Sequence, residues 1–104
     1  MNKEKQRIKI AEACGWKDMF IENNRPLLGR HEPESMGRDY LCVPDYLNDL
    51  NAMHEAQKIL KLGMRNRYDA ELSLIAERDY CFIWETSTEQ KAEAFLRTLD
   101  LWEQ

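Results

Sequence analysis

Five consecutive apolar residues, Tyr80, Cys81, Phe82, Ile83 and Trp84, constrain the fold more than any other stretch of this chain. They lie between Glu77, Arg78 and Asp79 on one side and Glu85 on the other. A strand with no polar position requires cover on both faces. In the preceding residues, 68–76, Tyr68, Ala70, Leu72 and Leu74 alternate with Asp69, Glu71 and Ser73, the period of a half-buried strand. The two runs together predict a hairpin turning at 77–79, with 80–84 as the more central strand. Helices must then cover both faces of the sheet, which gives an α/β (α+β) domain built as a three-layer α/β/α sandwich.

Three helices are expected to supply that cover. The last follows overlapping capping boxes, Thr86 with Glu89 or Ser87 with Gln90. Behind them Ala92, Phe95, Leu96, Leu99 and Trp102 recur at helical spacing, with Glu93 and Arg97 paired on the outer side. A first helix over 3–14 carries Ile8, Ile10, Ala11 and Cys14. Gly15 then supplies a left-handed ending, and Trp16 folds back on the last turn near Ile10 or Ala11. A second helix enters after Pro44 with Asp45 as N-cap and runs to about Leu62. It buries Tyr46, Leu50, Met53, Ala56, Gln57 and Leu60 and ends on Gly63 and Met64. Short strands are expected at 27–28 and 40–43, so the order reads α-β-α-β-β-α. At 104 residues the chain is expected to form one domain, 1–104.

The net charge of −4 argues against a nucleic-acid partner, because neutralised phosphates dominate that kind of affinity. Lys3, Lys5, Arg7 and Lys9 read as a solvated helix face, and Lys58, Lys61, Arg65 and Arg67 as a favourable helix C-terminus. No apolar run reaches the roughly 18 residues of a membrane span. The opening MNKEKQRIKIAEA has no secretory apolar core, so a cytoplasmic protein with no membrane partner is expected. Cys14, Cys42 and Cys81 fall in no CxxC pattern and are expected as free thiols acting as small core residues.

Residues 54–58, HEAQK, stop short of a zinc-protease helix, which needs a second histidine where Lys58 stands. His54 is therefore expected as a partly buried, hydrogen-bonded residue beside Leu47 and Leu50. His31, Glu32 and Glu34 form the one other grouping of metal-ligand type. No GxxxxGK[ST], GxGxxG or GxSxG setting is present. The expectation is no metal, no cofactor and no catalytic residue, and so a protein that is not an enzyme. Residues 17–43, irregular and rich in Pro and Gly, are long enough to form a recognition surface. Leu27, Leu28, Arg30, Met36 and Tyr40 are the expected partner-binding residues there.

Three stretches taken together, IAEACGWK, LCVPDYLNDLNAMHEAQKIL and EQKAEAFLRTLDLW, resemble the phage α/β/α-sandwich domain family of small tailed-phage and prophage proteins. The resemblance implies an accessory protein of the host bacterial cytoplasm with no catalytic residues to carry over. The expected function is binding of a host or phage protein, inhibition of a host defence being one such role. The alternative is a small-molecule or nucleotide-binding domain, with or without catalysis. In that case residues 17–43 would wall a pocket bordered by Arg25, Arg30, His31 and Arg38.

Overall fold

The structure, a computed structural model, describes residues 1–21, 26–31 and 40–103. It is a mixed helix-and-strand fold. Helix α1 spans Lys3–Ala13, strands β1, β2 and β3 span Trp16–Phe20, Leu28–His31 and Leu41–Cys42, and α2, α3 and α4 span Leu50–Gln57, Leu62–Arg78 and Thr88–Thr98. A single 3₁₀ turn, Ile83–Glu85, separates α3 from α4. The three strands form an antiparallel sheet in the order β1-β2-β3. Trp16 pairs with His31, Lys17 with Arg30 and Phe20 with Leu28, and the register slips between Lys17 and Phe20, where Asp18 adopts φ 52°. Gly29 sits where a side chain has no room: a Cβ there would stand 2.7 Å from Met19 Cγ and 3.2 Å from the Trp16 ring.

The expected hairpin is a helix. Residues 68–76 belong to α3, and 80–84 leave it as an exposed turn. Tyr68 and Leu72 satisfy both a strand and a helix period. The next buried residues, Ile75 and Ala76, continue the helical stripe, whereas Ala70 and Leu74, needed by the strand, are exposed. Ala, Leu, Glu and Arg, which dominate 70–78, are also strong helix formers. All three strands therefore precede α2, and the sandwich inferred from the hairpin loses its premise. The main packing runs α3 against α4 and α1 against both α4 and β1.

The second helix is also shorter than expected. Pro44 and Asp45 open a turn in which Asn48 Nδ2 donates to Asp45 Oδ2, and the helix proper is capped by Asp49, whose carboxylate accepts from Asn51 and Ala52 amides. It stops at Gln57, and Gly63, expected as its ending, lies in the first turn of α3. The basic group Lys58, Lys61, Arg65 and Arg67 thus surrounds the N-terminal end of a helix, the end with the unfavourable dipole.

Three helices end alike. Gly15, Tyr80 and Asp100 take left-handed backbone, with φ of 96°, 57° and 59°. After α3 the Cys81 amide donates to the Ala76 carbonyl and Tyr80 to Glu77; after α4 Leu101 donates to Leu96 and Asp100 to Arg97. As expected, Gly15 ends α1, and Trp16 joins Ile10 and Ala11 in the core. Phe95, Ile10, Met53 and Leu96 are the largest side chains buried completely. Tyr68, Leu72 and Ile75 reach them from α3, and Leu27 and Val43 from the sheet side. Leu50, expected inside, is exposed. None of the cysteines is fully buried: Cys14 and Cys81 are half-buried and Cys42 is exposed, all as free thiols.

Candidate interaction surface

The turn between α3 and α4 is held from both sides. Arg78, in the last turn of α3, makes a bidentate pair with Glu93 of α4 (2.8 and 3.1 Å) and also holds Asp79 (2.9 Å). Glu93 accepts a further bond from Arg97 at 2.7 Å. Gln90 donates to Asp79 at 2.8 Å while its carbonyl oxygen accepts from the Ser87 amide, completing the Ser87–Gln90 capping box at the start of α4. Bonds from Arg78 and Gln90 pull the Asp79 carboxyl down to about 2. Burial pushes Glu93 up, but the two guanidiniums outweigh it and hold its carboxyl below the usual range. At the far end of the turn Lys91 Nζ donates to Thr86 O (2.7 Å), and Thr86 Oγ1 donates to Ile83 O (2.8 Å).

What this frame holds out to solvent is apolar. Tyr80 is 97% exposed, Trp84 75% and Phe82 61%, with Ile83 between them. Phe82 and Trp84 lie face to face, centroids 4.6 Å apart and planes 4° from parallel. Tyr80 projects from a left-handed position that bulky residues rarely occupy, a cost of roughly 1–2 kcal/mol. Strain of this kind collects at functional sites. Tyr80→Gly should therefore raise stability by about 1 kcal/mol, since the fully exposed ring forfeits no core contact. Thermal unfolding checks this; an unchanged or lower Tm would show that the ring contributes to folding.

The expected contact residues between 17 and 43 separate. Leu27 is 2% exposed and belongs to the core, because it reaches inward beside Val43, whose amide donates to the Leu27 carbonyl. Leu28 is half-buried on β2. Arg30 and Tyr40 do come together: the guanidinium lies 4.7 Å over the Tyr40 ring, Phe20 meets that ring edge-on at 4.9 Å, and Asp18 pairs with Arg30 at 3.8 Å. Met36, and with it Glu32, Glu34, Arg25 and Arg38, lies outside the described residues. His31 is occupied with the fold, its Nε2 3.0 Å from the Cys14 carbonyl oxygen and its ring 5.0 Å from Trp16.

His54 is exposed on α2 instead of partly buried, because the face that turns inward carries Met53 and Ala56. Lys58 pairs with Glu55 at 2.8 Å. Among the described residues no group of three or more His, Cys, Asp or Glu is placed to share a metal ion, and no helix is long and apolar enough to cross a membrane.

Several hollows flank α3. A cleft of about 410 Å³ lies where Lys3, Gln6, Arg78, Asp79, Glu89 and Trp102 converge, and its charges already pair with one another, Lys3 with Glu89 among them. A smaller pocket of about 260 Å³ occupies the elbow between α2 and α3, lined by His54, Gln57, Lys58, Leu60, Arg65, Tyr68 and Asp69. Gln57 Nε2 donates to Tyr68 Oη across its floor at 2.9 Å.

The sequence held one signal for the aromatic surface. Ile75 and Ala76 continue the spacing of Tyr68 and Leu72, which carries a helix through 76 and removes the strand that 80–84 would have paired with. Compared with known proteins, the chain matches no family model, no curated protein and no solved structure.

Proposed function

We propose that this chain is a non-catalytic binding protein and that the aromatic surface of residues 80–84 is its contact site for another protein. One observation carries the reading: Phe82 and Trp84 stack on each other in solvent, with exposed Tyr80 two residues before them, on a turn clamped by Arg78, Gln90 and Lys91. An apolar patch of this kind on a folded protein marks an interaction site. Tyr and Trp are the residues that anchor such contacts, and a rigid frame lowers the ordering cost of binding. The resemblance of the helical stretches to small phage proteins suggests the setting, an accessory protein of the host cytoplasm that captures a host or phage protein. Arg30 and Tyr40 on the sheet are a secondary contact in this reading.

A photo-reactive phenylalanine analogue at Trp84 tests it. In phage-producing cells it should yield a discrete protein adduct, while the same analogue at exposed Asn51 on α2 should not. Equal adducts from both positions, or none from position 84, overturn the proposal. Failure at 84 together with a co-purifying nucleotide or metabolite transfers the function to small-molecule binding.

A further inference from the structure

The charges on α3 run against its own dipole. A helix is stabilised by acids at its N-terminus and bases at its C-terminus, each worth about 0.3–1 kcal/mol. Here Lys58, Lys61, Arg65 and Arg67 gather at the N-terminal end; Glu55 pairs with Lys58 and Asp100 with Arg67, which leaves Lys61 and Arg65 with no ion pair among the described residues. Glu77, Asp79 and Glu85 gather at the other end, where Arg78 is consumed by Asp79 and Glu93. The dipole and the side chains therefore add, and the helix is positive at one end and negative at the other. The ends lie about 25 Å apart at 1.5 Å per residue.

Each end also carries exposed apolar surface. The negative end has Tyr80, Phe82 and Trp84. The positive end has Leu62, 80% exposed, with Ile59 and Met64. On the same elbow opens the pocket of about 260 Å³, with Lys58, Arg65 and Asp69 on its wall. That volume falls below the roughly 300–1,000 Å³ of sites for drug-sized ligands and suits a single large side chain. Arg65 is placed to lie against an aromatic ring entering there, a contact that guanidinium groups favour.

We infer that the occupant of the aromatic surface is a second copy of this chain, docked head to tail. Trp84 of one copy enters the elbow pocket of the next, Phe82 packs on Leu62, and Glu85 faces Lys61. This rests on residues 80–84 being a contact surface and names their partner. A contact built on one anchor side chain and exposed charges is reversible and salt-sensitive. The two faces differ, so the contact is heterologous and propagates unless the rotation closes a ring.

Sedimentation of the whole chain over a concentration series tests this. Wild type should show a mass that climbs with concentration and falls back as salt is added. Trp84→Asp and Leu62→Asp should each be monomeric, with association weakened by roughly 30-fold or more, as loss of an anchor residue predicts. Mixed in equal amounts they should form a one-to-one dimer and stop, because each variant retains the face the other has lost. Glu85→Lys and Lys61→Glu should each weaken association, and mixed they should assemble beyond a dimer, because the two reversals are opposite in sign and restore attraction at both kinds of contact; circular dichroism confirms that each variant is folded. A wild type that stays monomeric into the millimolar range overturns the inference. So does a mixture of variants that stays monomeric while wild type assembles, the mark of a symmetric contact. If wild type is monomeric yet the position-84 adduct forms with another protein, self-docking falls and the binding function stands. If wild type assembles as described and the position-84 adduct joins only copies of this chain, self-docking stands and the host or phage partner falls.

Discussion

Phe95→Ala should lower the unfolding free energy by about 3–5 kcal/mol, the range for emptying a buried phenylalanine site. Phe95 is 0% exposed, the largest of the completely buried side chains, and sits midway along α4. It lies where three helices converge on a fourth: α4 packs against α1, α2 and α3 in turn. Ile10, Met53 and Leu96 are equally buried, so the walls of the cavity are themselves held and cannot collapse to fill it. Domains of this size are stable by about 5–15 kcal/mol in total, so the variant approaches the limit of folding. Chemical denaturation measures the change. A loss under about 1 kcal/mol would mean that α4 does not present Phe95 to the core. Phe95→Leu, which keeps most of the volume, should cost less than half as much.

Glu93→Gln should be the most damaging polar substitution, at about 1–3 kcal/mol near neutral pH. The carboxylate is nearly enclosed and satisfies two guanidiniums at once, and Gln offers only one acceptor oxygen. The cost is held down because Arg78 is half exposed and keeps Asp79 as a second partner. The sign of the pH dependence follows from the depressed Glu93 carboxyl. Its contribution is fully present above the unfolded glutamate value of about 4.3 and is lost as pH falls through the lower folded value. Asp79, lowered to about 2, acts in the same direction. The stability gap between wild type and Glu93→Gln should therefore narrow steadily below about pH 4. Thermal unfolding of both proteins at stepped pH reads this out. A gap that stays constant would show that the ion pairs contribute nothing and that packing alone accounts for the loss. Because Arg78 and Asp79 anchor the turn that carries Tyr80, Phe82 and Trp84, this variant should also weaken binding at the aromatic surface.

How much of this was legible in the chain depends on how far each signal reaches. The Ser87–Gln90 box and the left-handed Gly15 are decided within a few residues, where a side chain meets a nearby amide or a backbone angle excludes a Cβ. Ala92, Phe95 and Leu96 were placed by spacing alone, because their apolar stripe fits only the helical period. Met53, Ala56 and Leu60 were likewise found inside, although Leu50 on the same expected face is exposed. The Glu93–Arg97 pair was foreseen, yet its burial was not, since that required Arg78 to arrive from another helix.

The remainder was settled by tertiary structure. In 68–76 the sequence supports two periods equally, and the surface of α4 selected between them by burying Tyr68, Leu72 and Ile75 together. Once α3 runs to Arg78, the neighbouring strand that 80–84 would have paired with is gone, and five apolar residues meant for a sheet centre become an exposed aromatic turn. Leu27 moved the opposite way, from expected contact to core. The sequence by itself determined where apolar side chains occur and which local caps close the helices. Which of those side chains the core took in, and which were left for a partner, was decided by the order of packing between elements, because burial is a property of two surfaces and a sequence pattern describes only one of them.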